Sequence, residues 1–290
     1  MELAAAKRKG RHLNAIAINL LGQFIKRTGP FRGKNRRLIP LWMDWRDRKE
    51  QRIRNLPGNG KVQCDFSIPY ECMVWLEEEE ESDLRVLAQI LKPGDSFIDC
   101  GANVGLWSLV ASATVGPQGR VLAIEPNPLT ANKLLNNIAL SMFDNMTVKT
   151  CAVGDATGEL LLQAETEHNI SRVVPICSGK TIQVAAQRLD DLIGAGKFAG
   201  CKIDVEGFEL QVLKGAQKFL TEQKPWLCVE FNSILSGVKT LREWDVHNFL
   251  TQRGYTAFRF YDAKNCSPKN ILSDDFECQG YCNLFYSAKS

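Results

Sequence analysis

The 290-residue sequence contains no apolar run of membrane-spanning length, no Cys-x-x-Cys pair, three histidines, and no internal repeat or low-complexity tract. The longest apolar stretch near the N-terminus, His12 to Ile25, is too short and too interrupted by polar residues for a bilayer, which needs about 20 predominantly apolar residues. No clear small-residue cleavage pattern accompanies it, so no secretion signal is read and the cytoplasm is the expected compartment. Ten cysteines do not make a disulfide framework here, because disulfide-dense chains are short and secreted. Cys100, Cys151, Cys201 and Cys228 lie in or beside apolar runs and read as buried thiols. Cys266, Cys278 and Cys282 have no histidine among them and lack zinc-ligand spacing. His12, His168 and His247 are far apart and form no ligand pattern. His247 falls on an amphipathic stretch and reads as packing or surface, and His168 lies where a loop could touch a substrate.

With 44% apolar and 24% charged residues, the chain has the composition of an ordinary globular protein able to bury one sizeable core. Its net charge of +3 conceals an asymmetry. Residues 1–55 hold 15 Lys/Arg against 4 Asp/Glu, a balance of +11, which leaves the other 235 residues at −8. A basic amphipathic helix is expected around Leu13 to Ile25, ending at Thr28-Gly29-Pro30. Residues 1–60 therefore read as a basic helical extension suited to peripheral contact with an anionic surface, or as a solubilising helix packed on the body. Residues 61–290 read as the main folded domain.

Within that domain Val62 to Trp75 is expected as a strand pair or extended lead-in, and the glutamates Glu77 to Glu81 as the cap of a helix. From Ser96 onward short apolar runs alternate with helical stretches. Strands are predicted at Ser96–Cys100, Arg120–Glu125, Thr147–Val153, Cys201–Val205 and Trp226–Phe231. Helices are predicted at Gly105–Ala113, Leu129–Leu140, Glu209–Phe219 and Glu243–Gln252. Strand-like runs without a helix between Gly158 and Gln187 predict a β-rich insertion, and antiparallel strands are expected at Thr256–Tyr261 and Gly280–Tyr286. The fold class is α/β: a doubly wound, mostly parallel sheet carrying that insertion and the basic extension.

The strongest local signal is Phe97-Ile98-Asp99-Cys100-Gly101-Ala102-Asn103-Val104-Gly105, a buried strand ending in an acid and a small-residue loop. Gly101 and Gly105 allow a close backbone approach to a ligand. Such ligands bind outside the carboxyl ends of the strands. The next strand ends at Glu125, where a carboxylate can take both hydroxyls of a ribose. Asp155 after the third strand could accept from an adenine amino group, or simply form a Gly-Asp turn. A dinucleotide loop reads G-x-G-x-x-G around a pyrophosphate, whereas here Asp99 precedes the first glycine and Asn103 replaces the second. An aspartate there repels a pyrophosphate and welcomes an ammonium, so S-adenosyl-L-methionine fits better than NAD.

The fourth strand continues into Lys202-Ile203-Asp204-Val205-Glu206-Gly207-Phe208-Glu209 and on to Gly215-Ala216. Together with Phe97 to Gly105, Ala123 to Pro128, Ala152 to Asp155, Gln187 to Asp191 and Glu230-Phe231-Asn232, this resembles the FkbM-type methyltransferases over roughly residues 65 to 262. The resemblance implies a Rossmann-like class I methyltransferase fold and methyl transfer to a hydroxyl oxygen of a sugar, glycan or small natural product. It also implies a methionine-end pocket at Asp99, Gly101, Asn103 and Gly105, a ribose ligand at Glu125 and an adenine contact at Asp155. Asp204 is the first candidate for general base or acceptor ligand, then Glu206. Glu230 and Asn232 alternate on one strand and face one side, near Asp204 if the strands are neighbours, where three oxygens could hold Mg²⁺. The alternative is hydrogen bonding to loops or to Lys202. The first 60 residues and the tail after Asp262 lie outside the resemblance. An NAD-linked oxidoreductase and a non-catalytic binding protein of the same fold are the competing readings. Specific nucleic-acid methylation has no Asn-Pro-Pro-Tyr-like motif and no aromatic-basic platform to support it.

Overall fold

The computed structural model describes residues 15–28, 38–45, 49–76, 80–165, 170–174, 181–260 and 269–288. His12, Glu77 to Glu79, His168 and Cys266, and the first residues of the N-terminal apolar stretch, lie outside the described residues. The chain divides into two compact units, residues 1–54 with 63–81, and residues 55–62 with 82–290.

The first unit contains α1 (Ala15–Thr28), α2 (Leu38–Trp45), most of a hairpin formed by β1 (Gln51–Asn55) and β2 (Lys61–Asp65), and α3 (Pro69–Leu76). Trp42 stacks on Trp75 with centroids 5.6 Å apart, and Phe66 meets both edge-on. Arg54 is buried, donating to Val74 O at 2.7 Å and pairing with Glu81. The expected extended lead-in over Val62 to Trp75 is thus half strand and half helix. Pro69 opens α3 with its φ already helical, and Glu71 accepts from Asp65 N at 2.6 Å. Burial of Glu71, Cys72, Val74, Trp75 and Leu76 leaves the helix no polar face from which a period can be read.

The second unit begins its main run with α4 (Glu81–Ile90), whose buried Leu84, Val86 and Leu87 match the periodicity of the sequence. Then follow β3 (Ser96–Cys100), α5 (Leu106–Val115), β4 (Arg120–Ile124), α6 (Pro128–Ser141), β5 (Met146–Lys149) and β6 (Ala152–Gly154). Next come β7 (Gly158–Glu165), β8 (Ile170–Val173), β9 (Thr181–Arg188), α7 (Leu189–Ile193) and β10 (Gly200–Ile203). The chain finishes with α8 (Glu209–Lys214), β11 (Trp226–Asn232), α9 (Ser233–Ser236), α10 (Asp245–Thr251), β12 (Tyr255–Phe260), β13 (Lys269–Ile271) and β14 (Tyr281–Ala288). The near-continuous burial of β3, β4 and β10 suits strands covered on both faces. Asn127 caps α6 by accepting from Leu129 N, with Pro128 as its first helical residue.

Eight strands form one sheet in the order β13-β12-β14-β11-β10-β3-β4-β5. β5, β4, β3, β10 and β11 are parallel, and β14 enters antiparallel between β11 and β12. From β3 the chain grows outward through β4 and β5, then returns to β10 on the other side of β3. This creates the reversal point at which ligands bind in such sheets. The β-rich insertion is a separate four-stranded sheet, β6-β9-β7-β8. The single strand that the sequence predicts over Thr147–Val153 is two: after β5 the chain breaks at Thr150-Cys151 and β6 pairs with β9 in that smaller sheet. A single core fills one face of the main sheet, including Ile98, Cys201, Val229, Phe231, Leu284 and Tyr286 with Val212 and Leu213 of α8. Among the described residues no helix is long and apolar enough to cross a membrane.

Candidate functional site

Gly101 leaves β3 with φ +81°, and a Cβ there would lie 1.7 Å from the carbonyl oxygen of Asp204. Only glycine lets the loop pass this close to the exit of β10. Gly101 N and Ala102 N both donate to Ile124 O, which fixes the loop against β4. Asn103 takes the left-handed conformation (φ +49°) that asparagine tolerates better than most side chains. Gly105 caps α5 with φ +100°, where a Cβ would meet Leu134 Cδ1 at 2.5 Å.

This path aims Asn103 N at Glu125. Glu125 is buried, its Oε2 accepting from Asn103 N and its Oε1 from Asn127 N, both at 2.9 Å. Burial pushes its carboxyl up to about 7 against the pull of those two amides, and the charges of Asp99 and Asp204 push the same way. Asp99 is fully buried and accepts from Ser108 Oγ at 2.6 Å. Burial raises it too, with the Lys202 ammonium as the main opposing influence. Oδ1 of Asp99 and Oδ1 of Asn103 are buried without a hydrogen-bond partner.

On the other side of the reversal point, Lys202 is the register partner of both Asp99 and Cys228. Its Nζ lies 2.8 Å from Asp204 Oδ2 and over the Trp107 ring. Glu206 and Gly207 turn the chain with positive φ, and Glu209 holds that turn by accepting from Gly207 N and Val205 N. Since Ile203 pairs with Val229, Asp204 and Glu230 follow side by side from neighbouring strands. Burial lifts Glu206 to about 7 and Glu230 to about 10, and in both cases Asp204 is the next cause. Oε2 of Glu230 is buried and unpartnered.

The sequence-predicted residues Asp99, Gly101, Asn103, Gly105, Glu125, Asp204, Glu206 and Glu230 therefore gather at one end of the parallel strands. Asp155 does not join the sheet's strand ends in the expected way: it follows β6 of the smaller sheet and is exposed. Asn232, expected beside Glu230, uses its side-chain oxygen to cap α9, accepting from Ile234 N and Leu235 N. Among the described residues no group of three His, Cys, Asp or Glu side chains is arranged to hold a metal ion. His247 is buried, with Nδ1 3.1 Å from the Tyr286 hydroxyl and Nε2 3.3 Å from Asp274 Oδ1, a packing position. Cys100, Cys151, Cys201 and Cys228 are buried free thiols, as expected.

Three polar residues at the site went unread in the sequence. Ser108 lies in the first turn of α5, a helix that also carries Ser112 and Thr114, so its hydroxyl gives no distinct signal. Asn283 is the register partner of Glu230 and donates through Nδ2 to Asp83 Oδ2 at 2.9 Å. No local pattern links two positions 200 residues apart.

The chain is 28% identical over 162 residues to methyltransferase sdnD of Sordaria araneosa, spanning 43% of this chain and 62% of that one. It is 42% identical over 52 residues to the ribosomal RNA large subunit methyltransferase E of Sorangium cellulosum, 18% of this chain and 24% of that one. It is 26% identical over 140 residues to the hexuronic acid methyltransferase AglP of Haloferax volcanii, 47% and 56% of the two chains. The matches thus span less than two thirds of the length of each of these relatives. Residues 99–257, more than half of the sequence, match the family described as Methyltransferase FkbM domain, and the chain belongs to that family.

Proposed function

We propose that this protein is an S-adenosyl-L-methionine-dependent methyltransferase that methylates a hydroxyl oxygen of a saccharide or a small natural product. The observation that carries the reading is the set of buried oxygens around the β3 loop. Asp99 Oδ1 and Asn103 Oδ1 await donors, and Glu125 keeps further lone pairs beyond its two backbone bonds. An ammonium and a ribose diol supply such donors, while a pyrophosphate supplies none and would meet Asp99. The glycine cradle at Gly101 and Gly105 supplies the room.

S-Adenosyl-L-methionine contributes a methyl group already activated by its sulfonium sulfur. The protein's tasks are then to align an acceptor oxygen and remove its proton. Asp204, tethered by Lys202 and next to the loop, is assigned as the base. Glu206 flanks it. Glu230, lifted to about 10, holds its proton at neutral pH and serves the acceptor as a hydrogen-bonding group rather than as a base. Asp155 would contact adenine only from the smaller sheet. The name of AglP supports a sugar-type acceptor, and the short match to a ribosomal RNA methyltransferase supports RNA. The acidic groups Asp99, Glu125, Asp204 and Glu206 favour the sugar, because whatever negative charge they carry would repel a polyanionic backbone there.

Calorimetric titration of S-adenosyl-L-methionine into the wild type and into Glu125→Ala tests the cofactor. Micromolar binding that the substitution abolishes is the expected result. A folded wild type that does not bind overturns the reading. A subsequent panel of glycosides, small hydroxylated compounds and RNA then decides the acceptor.

A further inference from the structure

Beyond Asp204, the row of polar side chains continues across the sheet in a direction that the catalytic assignment does not use. Glu230 and Asn283 face each other across β11 and β14 as register partners. Each carries a buried oxygen without a partner, Oε2 of Glu230 and Oδ1 of Asn283. The Asn283 amide cannot turn over freely. Its Nδ2 donates to Asp83 Oδ2 at 2.9 Å, and a flip would set oxygen against oxygen. Asp83 thus fixes Asn283 as an acceptor toward the remaining space.

Buried oxygens in native proteins almost always find a donor. The acid form of Glu230 can pair the two by giving its one proton to Asn283 Oδ1, so a ligand that inserts between them must both accept that proton and bring a donor for Asn283. Two cations are near: Lys202 is committed to Asp204, and Arg259 acts on Asp83 and Cys282. Hydroxyls meet the requirement without adding charge. The row runs from Asp204 through Glu230 to Asn283 across three successive strands, about 5 Å from one to the next, so a small acceptor can lose a proton at one end while another of its hydroxyls is held toward the other.

Resting on the methyl-transfer reading above, we propose that Glu230 and Asn283 form a hydroxyl-binding subsite for the methyl acceptor, with Asp83 as a positioning residue acting through Asn283. The acceptor then carries a second free hydroxyl besides the one methylated, as pyranose rings do.

The test uses the full chain saturated with S-adenosylhomocysteine and titrated by saturation-transfer NMR with the methyl glycosides of glucose, galactose, mannose and glucuronic acid, and their monodeoxy derivatives. The expected result is that at least one glycoside binds and that one deoxy derivative loses about tenfold in affinity, the usual scale for a lost hydrogen bond to a buried partner. In Asn283→Ala the parent glycoside weakens to the level of that derivative, and the derivative weakens no further. Asp83→Leu behaves like Asn283→Ala, whereas Asp83→Asn, whose amide oxygen can still accept from Asn283, restores binding. Unchanged S-adenosylhomocysteine affinity shows that each variant is folded around the cofactor. If no glycoside binds the wild-type complex, or if Asn283→Ala and Asp83→Leu weaken parent and deoxy derivatives alike, the subsite is overturned. A wild type that fails to bind S-adenosylhomocysteine overturns the methyl-transfer reading itself, a failure that does not involve Asn283.

Discussion

Replacing Glu230 by glutamine removes one ionisation while preserving the shape of the acid form, and the consequence for stability depends on pH. Burial and the neighbouring Asp204 and Glu206 lift this carboxyl from 4.5 to about 10. A raised carboxyl means that the folded protein holds a proton that the unfolded chain releases as pH rises above 4.5. Folding must then take up that proton, so the wild type loses stability progressively between pH 4.5 and about 10, at a limiting slope of about 1.4 kcal/mol per pH unit. The glutamine variant has no such term. At pH 7.5 the full difference would be about 4 kcal/mol in favour of the variant; sharing of protons with Asp204 and Glu206, together with solvent at the half-buried carboxyl, reduces it to about 2 kcal/mol. Urea unfolding of both proteins at pH 5, 6.5 and 8 without ligand measures it. The variant should match the wild type at pH 5 to within about 1 kcal/mol and gain on it at each step upward. Two stability curves that stay parallel from pH 5 to 8, or a wild type that gains on the variant, would refute the claim that this carboxyl is held protonated.

The same electrostatics govern the cofactor side. On the proposal that the ionised form of Glu125 accepts the ribose hydroxyls, its carboxyl at about 7 makes cofactor affinity level above pH 7 and lets it fall by up to about tenfold per unit below it. Calorimetry from pH 5.5 to 8 should show this, and Glu125→Gln should bind more weakly with no pH dependence in that range. Gly101→Ala combines a positive φ with a Cβ 1.7 Å from Asp204 O, and should cost about 3 kcal/mol or more in urea unfolding. An unchanged midpoint would show that the loop can move away from β10. Asp204→Asn should lower kcat by about 10² to 10⁴ on any acceptor found, leaving S-adenosylhomocysteine affinity within about threefold. An unchanged kcat would remove Asp204 as the base.

Legibility in the sequence followed the range of the interactions. β3, α5, β4, α6 and β11 were readable because each is set by its own residues: an apolar run, a capping Asn-Pro, a glycine at a turn. The helix expected over Glu209–Phe219 instead stops at Lys214. A Cβ at Gly215 would lie 2.0 Å from Gly154 O, so the chain passes β6 in contact with its backbone, and the residues Phe219–Gln223 form a wider π-turn. That break depends on a strand some 60 residues away. The division of Thr147–Val153 has the same origin, since β6 leaves the main sheet to pair with β9, an arrangement that no local period encodes. At the site, Gly101, Glu125 and Asp204 announced themselves by following strands, while Asn283 lies inside β14 and acquires its meaning only from Glu230 and Asp83 across space.

The residues that were read and those that were missed share one physical problem. Asp99, Glu125, Glu206, Glu209 and Glu230 are all raised by burial, and Asp204 adds to every one of them. Lys202 is the cation that recurs against this group, opposing Asp99, Glu206 and Glu230 while paired to Asp204. A fold selected for stability alone would have little reason to gather so many acids at the ends of its central strands, since each costs desolvation and repels the next. The cost becomes intelligible if the natural occupant is cationic. A sulfonium and an ammonium entering this ring relieve the repulsion, whereas a thioether product has lost the sulfonium charge and is held less firmly. On this view the acidic ring favours substrate over product, and the strain it imposes on the free protein is the source of that preference.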